Sequence, residues 1–289
     1  MEKSFSFESL GTQWRVTIFD DIHEETYRSI QDEVIRMCSE FDATYSRFKE
    51  DSLVTKLSHT KGTHTVPRDL VEMLRLYKKF FTITEKRFTP CIGHLLEDVG
   101  YDSVYSLIPK ETMRPVYDFD TAVEIVDDET INLTKEVLLD LGALGKGYCV
   151  DMVTEYLYSV GIKRFLVDGS GDIFYEGNGM PITVGLEHPG DATQVIGSIE
   201  MMKGAMCSSA TNRRSWGKYS HYIDPTSATS PEEIIATWVI ADTASMADAL
   251  SSVLFFVAPE SVPDTEFSYC ILNRDYKIKK SPDFSATFY

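Results

Sequence analysis

GYCVDMVTEYLYSVGIKRFLVDGSGDIFYEG, residues 147–177, decides the architecture. Val150, Val153, Leu157 and Val160 recur at helical spacing, and Gly161 follows where a glycine commonly closes a helix. The chain then turns at once into KRFLVD (163–168) and GDIFYEG (171–177), two short β-rich runs with only turn residues between them. Strands joined that tightly pair antiparallel, because a parallel pair needs a crossover of about a dozen residues. ITVGLEH (182–188), IGSIEM (196–201) and ATWVIAD (236–242) continue the strand pattern. Helices interspersed with mostly hairpin-joined strands predict an α+β fold rather than a doubly wound parallel sheet.

Working outward, TQWRVTIFD (12–20) alternates, with Thr12, Trp14, Val16 and Ile18 on one side, and reads as a half-buried strand. Residues 23–43 turn helical, with Tyr27, Ile30, Val34 and Met37 in register. A second helix follows VPRD, carries Leu70, Leu74, Tyr77 and Phe81 on one face, and ends near KRFTP (86–90). Residues 119–134 read as a hairpin turning at DDET. The last helix contains MADALSSVLFF (246–256), with Asp242 as its N-cap. No repeat, low-complexity tract or linker interrupts the chain, so one domain spanning 1–289, built of two closely packed halves, is expected.

Hydrophobic residues make up 43% and aromatics 12% of the 289 residues, enough for a folded globule. A formal charge of −17 and a pI near 4.7 repel phosphate backbones and anionic lipid, which disfavours nucleic acid and membrane surfaces as partners. A small polyanion can still bind where a helix terminus, a lysine or a cation overrides that field. Five cysteines, at 38, 91, 149, 207 and 270, form no CxxC pair and read as reduced, mostly buried thiols. MEKSFSFESLGTQWRV has no apolar run of signal-peptide length and no lipobox-like cysteine, and no 18-residue apolar stretch occurs elsewhere. A soluble, cytoplasmic protein without a membrane span is expected.

Three places can carry chemistry. DLGALGKGY (140–148) combines glycines 142, 145 and 147 with Lys146 at a helix start, which suits a phosphate or pyrophosphate. It matches neither GxxxxGK[ST] nor GxGxxG, and a purely structural helix-entry turn explains it equally well. Asp248 and Ser252 stand four residues apart in an otherwise apolar helix. They offer hard oxygens of the kind Mg²⁺ accepts; alternatively the carboxylate is exposed or meets a lysine, and Ser252 bonds back to the carbonyl of residue 248. In SHYIDP (220–225), His221 is either a base near neutral pH, with Asp224 orienting it, or an ordinary packed imidazole. Histidines 23, 59, 64, 94 and 188 are assigned no role.

The order of these signals resembles that of the FAD:protein FMN transferases, the ApbE family, formerly called thiamine biosynthesis lipoproteins. LGTQWRV (10–16) is similar to MGTxWxV, and YSRFKEDSLVTKL (45–57) to the family's serine-rich loop. KRFTPCIGHLLEDVGYD (86–102) is similar to GxFDPTVGPLVxxWGF, DLGALGKGYCVD (140–151) to DLGGIAKGYAVD, and FLVDGSGDIFYEG (165–177) to NxGGDIxxxG. CSSATNRRSW (207–216) and SHYIDPTS (220–227) resemble TSGDYRRxF and SHIIDPxTG; ASMADALSSVLFFV (244–257) resembles AxxADALATALFVLG.

The resemblance implies an ApbE-like, T-fold-like domain. It also implies a Mg²⁺-dependent enzyme that cleaves FAD, releases AMP, and transfers FMN to a threonine or serine hydroxyl of an acceptor flavoprotein. Carried over position by position, Asp248 and Ser252 become side-chain magnesium ligands, completed by the carbonyls of Ala143 and Ser251. Leu10, Phe48, Arg87, Phe88, Thr89, Asp140, Lys146 and Ile223 become FAD contacts, and His221 the base that takes the acceptor's proton. Four positions depart from the family pattern: Ser252 stands for threonine, Thr89 for aspartate, and Ser170 and Ser209 for glycines, so the backbone at 170 and 209 is expected to differ. The same site also suits an FAD diphosphatase that yields free FMN and AMP, or a catalytically silent FAD-binding protein.

Overall fold

The computed structural model describes residues 2–212, 214–263 and 265–289. In chain order the elements are β1 (Lys3–Ser9), β2 (Thr12–Ile18), α1 (Glu24–Tyr45), α2 (Leu53–Leu57), β3 (Gly62–Thr65) and α3 (Arg68–Ile83). Then come α4 (Gly93–Asp98), α5 (Phe119–Ala122), β4 (Val123–Ile125), β5 (Thr130–Leu133), α6 (Gly145–Ser159), β6 (Phe165–Asp168) and β7 (Ile173–Glu176). The rest are β8 (Ile182–His188), β9 (Asp191–Met201), β10 (Lys203–Ala210), β11 (Ser215–Trp216), β12 (Tyr219–Ser220), β13 (Ile234–Ala241), α7 (Ala244–Val253), β14 (Ser268–Asn273), β15 (Ile278–Lys280) and β16 (Thr287–Phe288).

Eight strands form the main sheet in the order β1-β2-β6-β7-β10-β13-β14-β15, and every neighbouring pair among them is antiparallel. Alternation along the strands divides their side chains between two cores. Phe174, Ala205, Cys207, Val239 and Ile271 join the larger core beneath α1, α3, α6 and α7. Ile173, Tyr175, Met206, Trp238, Cys270 and Leu272 point the other way, against a three-stranded sheet of β8, β9 and β16. Burial on both faces explains why ATWVIA reads as a nearly unbroken apolar run. A third core, of Leu95, Leu96, Val99, Tyr101, Trp216, Tyr219 and Ile223, ties α4 to the β11–β12 hairpin.

The helical expectations hold, with adjustments. On α1 the inner face runs Ile30, Val34, Cys38, Phe41 and Tyr45, so Cys38 takes the place given to Met37. The α7 N-cap is Thr243, whose side chain accepts from the Met246 N–H; the Asp242 assignment is one residue early. The hairpin expected over 119–134 begins only at Val123, because Asp118 caps the short helix α5 ahead of it. KSFSFES was not singled out, yet it pairs with β2 through a two-residue turn in which Leu10 (φ 50°) and Gly11 (φ 68°) are both left-handed.

The five cysteines are free and buried. No helix of the described residues is long and apolar enough to cross a membrane. The irregular stretch after α4 is anchored by Asp98, whose carboxylate accepts from Lys110 Nζ, the Arg114 N–H and Arg114 Nε, each at 2.8 Å. Burial alone would raise Asp98, but the Arg114 and Lys110 hydrogen bonds prevail and hold it at about 2.

Candidate active site

Asp248 meets its partner across a helix crossing. Gly147, in the first turn of α6, donates its N–H to Asp248 Oδ2 at 2.9 Å, so the carboxylate caps the positive end of α6. The approach is possible only without a side chain: a Cβ on Gly147 would lie 2.2 Å from the Ala244 carbonyl oxygen and 2.7 Å from Asp248 Cβ. Asp248 is 3% exposed. Burial raises its pKa above the ordinary carboxylate range, opposed by the Lys146 charge and the Gly147 N–H. The N-terminus of α7 is satisfied in turn by Asp151, which accepts from the Ala244 and Ser245 N–H groups at 2.7 and 2.8 Å.

The serines of α7 take different roles from those open in the sequence. Ser251, not Ser252, donates back to the Asp248 carbonyl, at 2.8 Å. Its own carbonyl accepts from the Thr237 hydroxyl at 2.7 Å, and it is absent from the cavity wall described below. Ser252 Oγ lies 3.5 Å from the Tyr222 hydroxyl and borders the cavity. Tyr222 donates to Ser209 Oγ at 2.6 Å, and Ser209 meets Ser251 Oγ at 2.8 Å, linking the SHYIDP loop to α7.

A cavity of 680 Å³ opens over this crossing, within the usual range for ligand sites of about 300–1,000 Å³. Asp140, Ala143, Lys146, Asp248 and Ser252 border it where α6 and α7 meet. Leu10 enters from the strained β1–β2 turn, Phe48 from the loop after α1, Arg87, Phe88 and Thr89 from the stretch after α3, and His221 and Ile223 from the SHYIDP loop. Of the residues assigned to FAD, metal or catalysis, Ser251 stands apart from it, as does Asp224, the partner offered for His221.

Lys146 pairs with Asp172, which is fully buried at the start of β7. Thr89 caps the turn Pro90–Ile92, its hydroxyl accepting from the Cys91 N–H at 3.2 Å, and Phe88 stacks on Tyr77 with ring centroids 4.7 Å apart. Among the described residues no group of three His, Cys, Asp or Glu side chains could hold a metal. Asp172 is taken up by Lys146 and Asp140 by Arg47, so the oxygens of Asp248 and Ser252 and the backbone at Ala143 are the hard donors left facing the cavity.

His221 packs against Tyr222, ring centroids 4.2 Å apart, with Nδ1 3.4 Å from the Arg214 carbonyl. Asp224 does not orient it; its Oδ1 accepts from the Thr226 N–H and hydroxyl at 2.8 and 2.6 Å. Burial lowers the His221 pKa and the Arg214 charge lowers it further, to about 4 from an ordinary 6.5, so the imidazole is neutral at pH 7. NMR titration of the ligand-free protein is expected to give a His221 midpoint near 4. A midpoint near the ordinary value would mean that solvent reaches the ring.

Asp172, Arg47, Arg214 and Tyr222 line or support the site, and sequence reasoning assigned none of them a role. Ser170, on the cavity wall, holds a left-handed backbone (φ 66°) despite its side chain. Ser209 lies in β10, in register with Thr237. Relief of the strain at 170 should exceed the unfolded-chain entropy that glycine adds. Ser170→Gly is therefore expected to stabilise by about 0.5–1 kcal/mol. Thermal denaturation should then show a rise of roughly 1–4 °C.

Known proteins share both the sequence pattern and the fold. Residues 10–265 match the ApbE family. A protein of Vibrio cholerae named FAD:protein FMN transferase is 24% identical over 268 residues, covering 87% of this chain and 80% of its own length. One of Klebsiella pneumoniae with the same name is 24% identical over 273 residues, covering 88% and 78%. The crystal structure of the ApbE protein from Thermotoga maritima superposes with a TM-score of 0.84 at 22% identity, covering 98% of both chains. Flavin transferase ApbE from Vibrio cholerae gives 0.79 at 19% identity, also over 98% of each. A match that runs from the β1–β2 turn through α7 takes in every element that borders the cavity, and the chain belongs to the ApbE family.

Proposed function

We propose that this protein is an FAD:protein FMN transferase, moving FMN from FAD to a threonine or serine hydroxyl of an acceptor flavoprotein with release of AMP. The observation that carries this reading is the Gly147–Asp248 contact. It sets a lysine, a positive helix end and a set of hard oxygen donors against one cavity, as a diphosphate and its counter-cation require. Asp248 and Ser252 side chains, with the Ala143 carbonyl, are the donors suited to Mg²⁺, which usually keeps several waters and shares substrate phosphates. When bound, the cation would neutralise charge on the diphosphate oxygens.

The chain's own groups do the rest. Lys146, held on the cavity wall by Asp172, would meet the diphosphate. Gly145 and Lys146, in the first turn of α6, line the same cavity. His221, neutral at pH 7, takes the acceptor hydroxyl's proton as that oxygen bonds to the FMN phosphorus and the bond from phosphorus to the AMP oxygen breaks. A cytoplasmic setting would call for a cytoplasmic acceptor.

The test is incubation with FAD, Mg²⁺ and flavodomains that carry threonine or serine acceptor segments, read as covalent flavin fluorescence on a denaturing gel. Covalent flavin that disappears with a chelator is expected. Free FMN and AMP without any labelled protein would point to the diphosphatase, and FAD recovered intact would point to binding alone.

A further inference from the structure

Arg47 is only half used by the protein. Its Nε donates to Asp140 Oδ2 at 2.6 Å, and the guanidinium carbon lies 4.2 Å from the Phe48 ring centroid and 4.9 Å from that of Tyr101. The side chain is 2% exposed. Among the described residues neither Nη1 nor Nη2 has a hydrogen-bond partner, and both are buried. Unpaired buried N–H groups on a cation are costly, and a mere counter-ion to Asp140 would be free to turn them toward water or a carbonyl.

The neighbouring cations are committed elsewhere. Lys146 rests on Asp172, and Arg214 Nη1 donates to the Tyr101 hydroxyl. Asp140 Oδ1 accepts the Gly142 N–H at 2.9 Å, which fixes Arg47 to the glycine turn ahead of α6. The unpaired amines thus belong to a side chain on the cavity wall, anchored by Asp140 and with the edge-to-face pair Phe48–Tyr101 packed against its guanidinium.

We propose that Arg47 is a substrate-binding residue whose two terminal amines grip a pair of adjacent acceptor atoms on the dinucleotide; this rests on the transferase reading above. FAD offers such acceptors in two places, the diphosphate oxygens and the carbonyl edge of the flavin ring. The planar fork of arginine suits either, whereas a lysine ammonium is a point charge that still pairs with Asp140 but cannot reproduce the fork.

The experiment compares wild type, Arg47→Lys and Arg47→Met by calorimetric titration with FAD, ADP and riboflavin, with melting curves alongside. Arg47→Lys is expected to melt close to wild type and to bind FAD at least tenfold more weakly. A loss confined to ADP assigns the diphosphate, and a loss confined to riboflavin assigns the ring edge. Unchanged FAD affinity in both variants overturns the proposal and leaves Arg47 as the counter-ion of Asp140. Should the variants fail to fold, ¹⁵N-arginine spectra of the wild type decide: Nη resonances of a buried arginine must shift when FAD is added, and an unchanged spectrum at saturation overturns the proposal. Wild type that binds none of the three ligands overturns the transferase reading itself, an outcome separate from the failure of Arg47 alone.

Discussion

Asp248→Asn is expected to lower FMN transfer roughly 10³-fold, equivalent to about 4 kcal/mol of transition-state stabilisation, while the protein still folds. The substitution is nearly isosteric, and an amide oxygen can still accept the Gly147 N–H that the carboxylate accepts at 2.9 Å. What disappears is the negative charge, and with it the carboxylate that the proposed function gives to the cation. Burial already penalises that charge in the folded protein, so its removal has little reason to weaken the fold. Steady-state rates with saturating FAD and acceptor, set beside a melting curve, check both halves of the statement. A folded variant with wild-type rates would show that the carboxylate serves the helix crossing alone.

Gly147→Ala should have the opposite profile. Its Cβ would need to sit 2.2 Å from the Ala244 carbonyl oxygen, a backbone atom that a side-chain rotation cannot move aside. The helices must separate, at a cost near the upper end of overpacking penalties, about 3 kcal/mol. That predicts a melting temperature lower by roughly 6–12 °C. Gly145→Ala is the control two residues away: its Cβ would meet only Leu141 Cβ at 3.8 Å and Phe41 at 3.9 Å. Helix propensity then dominates, and that variant is expected to gain about 0.5–1 kcal/mol. Equal melting temperatures for the two variants would contradict the tight crossing.

What the sequence disclosed, and what it withheld, follows physical lines. Periodicity located α1, α3, α6 and α7, and the hairpin spacing after residue 163 called for antiparallel pairing, because both signals are local. The glycine turn, Asp248, Ser252 and His221 stood out because their residue types are unusual in their surroundings. Asp172 did not, since an aspartate at a strand start reads as turn chemistry until Lys146, 26 positions earlier, folds onto it. Arg47 was equally silent: a loop arginine declares itself only when Asp140 and two aromatic rings enclose it. The choice between Ser251 and Ser252 depended on the direction of each hydroxyl around one helical turn, which spacing alone leaves open. Tyr222 belonged to a quoted motif, yet its partners come from β10 and α7.

The interlocked crossing also bears on timing. With no space for even one methyl group between α6 and α7 at Gly147, the two helices are locked together there, and a guest that touches both cannot readily be released by prying them apart. The rest of the wall includes less regular chain, with Tyr101 and Tyr105 from the stretch after α4 and Pro189 from the turn after β8. Substitutions at Tyr105 or Pro189 are therefore expected to change the pace of product escape more than the chemistry at the helix crossing.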